Sequence, residues 1–181
     1  EDGQLMGRIT IDDVVDVIRE EADHSLMSMA GLNEEEDMFA PVLTSTRRRS
    51  IWLGINLLTA LLAAWVIGLF EGTIEQLVAL AVLMPVVASM GGIAGSQTLT
   101  LVIRGMALGK ISATNAKTIL RKEFGVGIWN GLIWAIIIAS VAGFWFDSFK
   151  LSLVIAAAIL INLIMAAISG AVIPLILKKL G

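Results

Sequence analysis

The chain has 181 residues, 57% of them hydrophobic and 16% charged, with no cysteine and a formal net charge of −3; its mean hydropathy is +0.86. This composition points to an integral membrane protein, and the lack of cysteine excludes disulfides and thiolate-held metals. The charge is unevenly divided: residues 1–46 hold twelve acids against Arg8 and Arg19, a balance of −10, while the remainder holds eleven Lys or Arg against four acids, a balance of +7.

The chain opens acidic and polar, without the pattern of a cleavable signal peptide. Residues 1–10 read as a turn at Asp2-Gly3 followed by a short strand ending at Ile9, too little to fold alone. Thr10 then caps a helix: Thr10-Ile-Asp-Asp13 is a near capping box, and acids in a first turn suit the helix dipole. Ile11, Val14, Val15, Ile18, Ala22, Leu26 and Met29 form an apolar stripe, opposed by Asp12, Asp13, Asp16, Glu20 and Asp23. The helix is expected to run to Ala30, before Gly31. His24 reads as a solvated side chain on it. A second acidic group, Glu34 to Asp37, leads through Pro41 to a hydroxyl-rich stretch ending in Arg47, Arg48 and Arg49.

Four apolar spans follow, at about 51–70, 77–108, 125–146 and 151–177, each near or above the roughly 20 residues that cross a bilayer. The second exceeds a straight span, which suggests a broken or tilted helix with a cytoplasmic extension. Arg47 to Arg49 precede span one. Arg104, Lys110, Lys117, Arg121 and Lys122 lie between spans two and three, and Lys178 and Lys179 close span four. The positive-inside rule therefore places the N-terminus, the 104–122 segment and the C-terminal residues in the cytoplasm.

Span two carries the unusual chemistry. Pro85-Val-Val-Ala-Ser-Met-Gly-Gly-Ile-Ala-Gly-Ser-Gln-Thr-Leu-Thr100 places a proline, three glycines and a run of hydroxyl and amide groups inside an apolar segment. Irregular or closely approached backbone at membrane depth is tolerated only where it faces protein or water. One reading is a polar ion path, with hard oxygen donors from Ser89, Ser96, Gln97, Thr98, Thr100 and carbonyls near Gly91, Gly92 and Gly95, suited to Mg²⁺ or Ca²⁺. The other is that the glycines let helices pack closely, with the hydroxyls bonding back to their own helix. Asn56, Asn130 and Asn162, single polar residues in spans one, three and four, favour interhelical hydrogen bonds over path lining. The four apolar stretches contain no Asp or Glu, so a bare divalent ion would lack charge compensation. Either it passes hydrated, or a carboxylate comes from elsewhere. No nucleophile–base pair or phosphate loop is present, so an enzyme is not expected. The acidic helix has its own two readings, a solvated face or a surface that divalent cations screen and dock.

Met84 to Arg104, followed by Ala107-Leu-Gly109, resembles the second transmembrane helix of the MgtE family of magnesium channels and transporters. Gly7 to Glu21 resembles the end of that family's second CBS domain entering its plug helix; Trp52-Leu-Gly-Ile-Asn-Leu57 and Pro174 to Gly181 resemble the start of its first span and the end of its fourth. The likeness extends over essentially the whole chain. It implies an all-α integral membrane protein: four visible helices of a five-helix bundle, preceded by an amphipathic acidic cytoplasmic helix. Residues 1–10 would be the tail of a CBS-like domain, 11–46 the plug region and 47–181 the transmembrane domain.

The resemblance further implies Mg²⁺ permeation across a prokaryotic plasma membrane by a homodimeric channel gated by cytosolic Mg²⁺. Its expected partners are a second copy of the chain, membrane lipid and Mg²⁺, with no nucleic acid. By position, Gly92, Ser96 and Thr100, with Gly91 and Gln97, fall at path or metal sites, and Asp13, Asp16, Glu20 and Glu21 at sensing positions. The alternatives are a coupled Mg²⁺/Co²⁺ transporter and a non-transporting helix-packing module. Three departures stand out. Ile93 occupies a place where the family commonly has Asn, and His24-Ser25 replaces a frequent Glu-Asp pair. The sequence also stops where the family's fifth span, with its path aspartate, is expected.

Overall fold

A computed structural model describes residues 9–29, 31–32, 39–112 and 114–180, with the side chains of 21–23, 25–26, 28–29, 76 and 180 outside that description. The expected strand within 1–10 falls largely on residues 1–8, and the acidic group Glu34 to Asp37 on 33–38; both lie outside the described residues. The described residues form six helices and no strand: α1 (Ile11–Met29), α2 (Val42–Gly68), α3 (Glu71–Gln76), α4 (Val78–Ala107), α5 (Ala116–Phe146) and α6 (Phe149–Leu180). The chain divides into two compact units, 1–71 and 72–181.

In the first unit, α1 starts as its sequence dictates. The backbone N–H and Oγ1 of Thr10 both donate to Asp13 Oδ2, at 2.7 and 2.8 Å, closing the N-terminal turn. Gly31 ends the helix at φ +70°, a left-handed conformation that glycine adopts without steric cost. The Trp52 ring lies against Gly31, where a Cβ would overlap it. Helix α2 begins at Val42 rather than near Ile51 because Pro41, with φ −54°, presets the chain and its carbonyl accepts the N–H groups of Thr44 and Ser45. Arg47, Arg48 and Arg49 are thus inside the helix. None of its residues is buried.

The second unit is a three-helix body with α6 packed against both α4 and α5. Between α5 and α6 the contact is tight because small residues meet large ones: a Cβ at Gly127 would touch Ala167 and the Leu163 carbonyl, and one at Gly131 would meet Leu160. Ala135, Ala142, Ile155, Ile159 and Leu163 form the adjoining core, with Leu83 of α4. The α4–α5 turn folds back on Gly105, whose carbonyl accepts from Lys110 and Ile111 and whose bare Cα admits the Ile111 side chain. The Asn115 side chain bridges it, accepting from Ser112 N–H and donating to the Lys110 carbonyl. Asp147, left-handed at φ 47°, makes the short turn into α6.

Four helices, α2, α4, α5 and α6, are long and apolar enough to cross a membrane. Of the two expectations for α4, broken or tilted, the break does not occur: it runs as one helix through Pro85 and all three glycines. Pro85 still withholds an N–H from the Ala81 carbonyl, but it does so near the start of the helix, where the ladder continues past it. Helix α5 likewise begins at Ala116, well before the apolar stretch starting at Gly125, and so takes in Glu123. At 30 and 31 residues, both helices outrun a hydrocarbon core of about 30 Å at about 1.5 Å per residue.

Candidate functional site

The polar residues of α4 sort by helical phase. Successive residues turn about 100°, so Gly91, Gly95, Thr98 and Val102 share one face, and Gly92, Ser96 and Thr100 lie around the other side. Gly92, Ile93, Ser96, Gln97, Thr100 and Leu101 line an open groove of about 680 Å³. Nothing stands within 4 Å of where a Gly92 Cβ would be. Four of the five expected path residues therefore share this groove: Gly92, Ser96, Gln97 and Thr100. Gly91 is buried on the inner face, against Asn162 of α6. Ile93, 56% exposed, adds a branched apolar wall where an amide was expected from the resemblance.

The inner face is held by polar ties and close backbone approach. Asn162 Nδ2 donates to the Val87 carbonyl, the acceptor that helical geometry assigns to the Gly91 N–H. One turn further on, a Cβ at Gly170 would lie 2.6 Å from the Gly95 carbonyl oxygen and 3.1 Å from Thr98 Cβ. The packing reading of the glycines holds for Gly91, Gly95 and Gly170, which make close helix contacts, whereas Gly92 borders the open groove.

Thr98 Oγ1 donates to Glu123 Oε2 at 3.0 Å, and both residues are only 4% exposed. Lys122 Nζ reaches Glu123 Oε1 at 3.1 Å from an exposed side chain. Glu123 lies just before the apolar run that begins at Gly125, and it meets α4 because α5 starts early, at Ala116. A helical reading of 116–125, with Ile119, Leu120 and Glu123 at a shared phase, is the sequence signal that reveals it. Of the other intraspan amides, Asn56 donates to its own helix at Trp52 O, Asn130 is exposed, and Asn162 makes the interhelical bond its position favoured.

On α1, Asp13, Asp16 and Glu20 are exposed; the Glu21 side chain lies outside the described residues. Asp13 has its pKa lowered by the backbone N–H of Thr10 and then by the Thr10 hydroxyl. Among the described residues no three His, Asp or Glu side chains converge as a metal cluster.

Four apolar helices long enough to span a bilayer, one of them with a mostly apolar groove that carries Ser96, Gln97 and Thr100, define a multi-span membrane protein. Residues 84–181 match the family model MgtE, described as a divalent cation transporter. Over nearly its whole length the chain is 35% identical to a Bacillus subtilis protein named magnesium transporter MgtE, with 99% of the chain and 40% of that protein aligned. It is 29% identical to proteins of the same name from Enterococcus faecalis and Thermus thermophilus, again over 99–100% of the chain and 40% of each relative. The chain belongs to the MgtE family, a family of membrane cation transporters rather than enzymes. It spans about 40% of the length of the curated relatives it matches.

Proposed function

We propose that this chain forms part of the membrane pathway of a Mg²⁺ transporter, and that the ion moves along the α4 groove. The observation carrying this reading is the gathering of Gly92, Ser96, Gln97 and Thr100 on one open face of a spanning helix. Their oxygens are hard donors, and Mg²⁺ parts reluctantly with its waters. An uncharged wall that offers two hydroxyls and an amide among apolar atoms suits an ion that keeps much of its hydration shell. Glu123 lies on the inner side of α4, bound to Thr98, and leaves the groove wall uncharged. Charge compensation then falls to groups other than those of the groove wall.

In this reading two copies face each other across the groove in a homodimer in the prokaryotic plasma membrane. Its positive loops, and with them the N-terminus, are cytoplasmic, in keeping with the Lys and Arg distribution. The acids of α1, among them Asp13, Asp16, Glu20 and Glu21, answer to cytosolic Mg²⁺: the ion screens mutually repelling carboxylates and favours a closed state.

Ser96→Leu in the full-length protein is expected to abolish Mg²⁺ uptake by cells that depend on it; undiminished uptake would remove the groove from the pathway. Replacing Asp13, Asp16 and Glu21 together by Ala is expected to relieve inhibition by cytosolic Mg²⁺. An unchanged Mg²⁺ dependence of open probability would end the sensing role while leaving the groove intact.

A further inference from the structure

The groove depends on α4 presenting Gly92, Ser96 and Thr100 outward, and hydrophobic contact alone sets such a phase poorly. Apolar contacts carry little directional preference, whereas a hydrogen bond has a preferred line. Asn162 supplies that line. It sits in α6, the most apolar of the spanning helices, and its amide nitrogen donates to the Val87 carbonyl of α4. The amide fits only because residue 91 is glycine: a Cβ there would overlap Asn162 Nδ2 and stand 2.6 Å from Oδ1. Gly91 and Asn162 are thus notch and key, and the next residue in the chain, Gly92, is where the groove begins. A turn of α4 by about 100°, one residue, would exchange the two.

We propose that Asn162 is a positioning residue of the cation path. Its amide, seated in the Gly91 notch, fixes the rotation of α4 and thereby selects which of its polar residues face the groove. Asn162 is not part of the groove lining, so it acts through α4. The proposal rests on the reading of the groove as the path.

The test uses the full-length protein in membrane vesicles, with single cysteines placed at 92, 96 and 100 and, as out-of-phase controls, at 94 and 95. This stretch has no native thiol. A charged, membrane-impermeant thiol reagent is expected to modify 92, 96 and 100, with protection by Mg²⁺. Asn162→Leu is expected to lower that modification, and raise it at 94 or 95, by about threefold, the scale set by one interhelical hydrogen bond. It is also expected to change the Co²⁺ to Mg²⁺ uptake ratio. Gly91→Ala, which fills the notch but leaves the amide in place, should produce the same shift, and it decides the matter should Asn162→Leu fail to accumulate. An unaltered labelling phase and uptake ratio in a folded variant would overturn the proposal while the path reading stands. No labelling at 92, 96 or 100 in the parent protein would instead overturn the path reading, and the proposal with it.

Discussion

On one face of α4, Gly91, Gly95 and Thr98 press against α6 and α5; on the other, Gly92, Ser96 and Thr100 open into a groove. Both faces use glycine and hydroxyl residues, and their members lie one or two positions apart in the chain. They differ in what a methyl group would meet. At Gly91 it would overlap an amide, while at Gly92 it would meet nothing within 4 Å. A small residue in a membrane helix therefore has no fixed meaning. On the inner face it is a packing device that brings backbones together, and on the outer face it is an opening that leaves space beside hard oxygen donors.

The contrast is broken most severely at Gly170. Gly170→Ala places its Cβ 2.6 Å from the Gly95 carbonyl, a backbone atom that has to shift. Overpacking of this sort costs about 1–3 kcal/mol, and the purified protein should unfold at correspondingly lower temperature or denaturant. Gly92→Ala, on the open face, should stay within about 0.5 kcal/mol of the parent in the same measurement. Equal losses at the two positions would show that the faces are not distinct. Next in size is Glu123→Ala, which strips the buried Thr98 hydroxyl of its acceptor. Leaving a buried donor unpaired costs about 1–3 kcal/mol. Glu123→Gln keeps an acceptor oxygen and should recover most of the loss, since the Lys122 partner is largely exposed and such pairs contribute about 1 kcal/mol or less.

Hydropathy locates where lipid begins, and this explains which elements were readable in advance. The four spans and the amphipathic α1 with its Thr10–Asp13 cap were legible because composition and period determine them. The starts of α2 and α5 were not. Polar, helix-compatible residues such as Thr44 to Ser50 and Lys117 to Glu123 continue a helix beyond the bilayer, so the apolar runs beginning at Ile51 and Gly125 conceal where the backbone begins to coil. For the same reason the apolar run alone gives no sign that Glu123 is helical. The oxygen-rich character of α4 was visible, but the division between Gly91 and Gly92 was not. It depends on the phase of α4 relative to α6, and that phase is set by Asn162, which lies 75 residues from its acceptor Val87.

A smaller effect is expected at Ile93, which lines the groove and is half exposed. Ile93→Asn adds an amide to the open face without touching the inner one. Stability should remain within about 0.5 kcal/mol, while the relative uptake of Mg²⁺, Co²⁺ and Ni²⁺ by the full-length protein should shift. A change in stability without a change in uptake would assign Ile93 to packing and move the boundary between the two faces.

The smallest effect compares two threonine–carboxylate pairs. Thr98 and Glu123 are buried together, so their bond has no competing water; Thr10 and Asp13 form the same chemistry at an exposed helix start, where water competes for both. The Asp13 pair nevertheless leaves a trace in pH. Its two hydrogen bonds stabilise the ionised carboxylate and lower its pKa. The capping contribution is therefore fully present above the ordinary Asp value, and it is lost as pH falls through the lower folded value. Amide exchange in the first turn of α1 should accelerate in that acidic window relative to the trend of the neighbouring turns. Asp13→Asn should remove the acidic step while leaving exchange near neutral pH only slightly faster, because an Asn oxygen still accepts from Thr10. If Asp13→Asn leaves the step in place, another group is responsible, and the exposed pair contributes no measurable capping to α1.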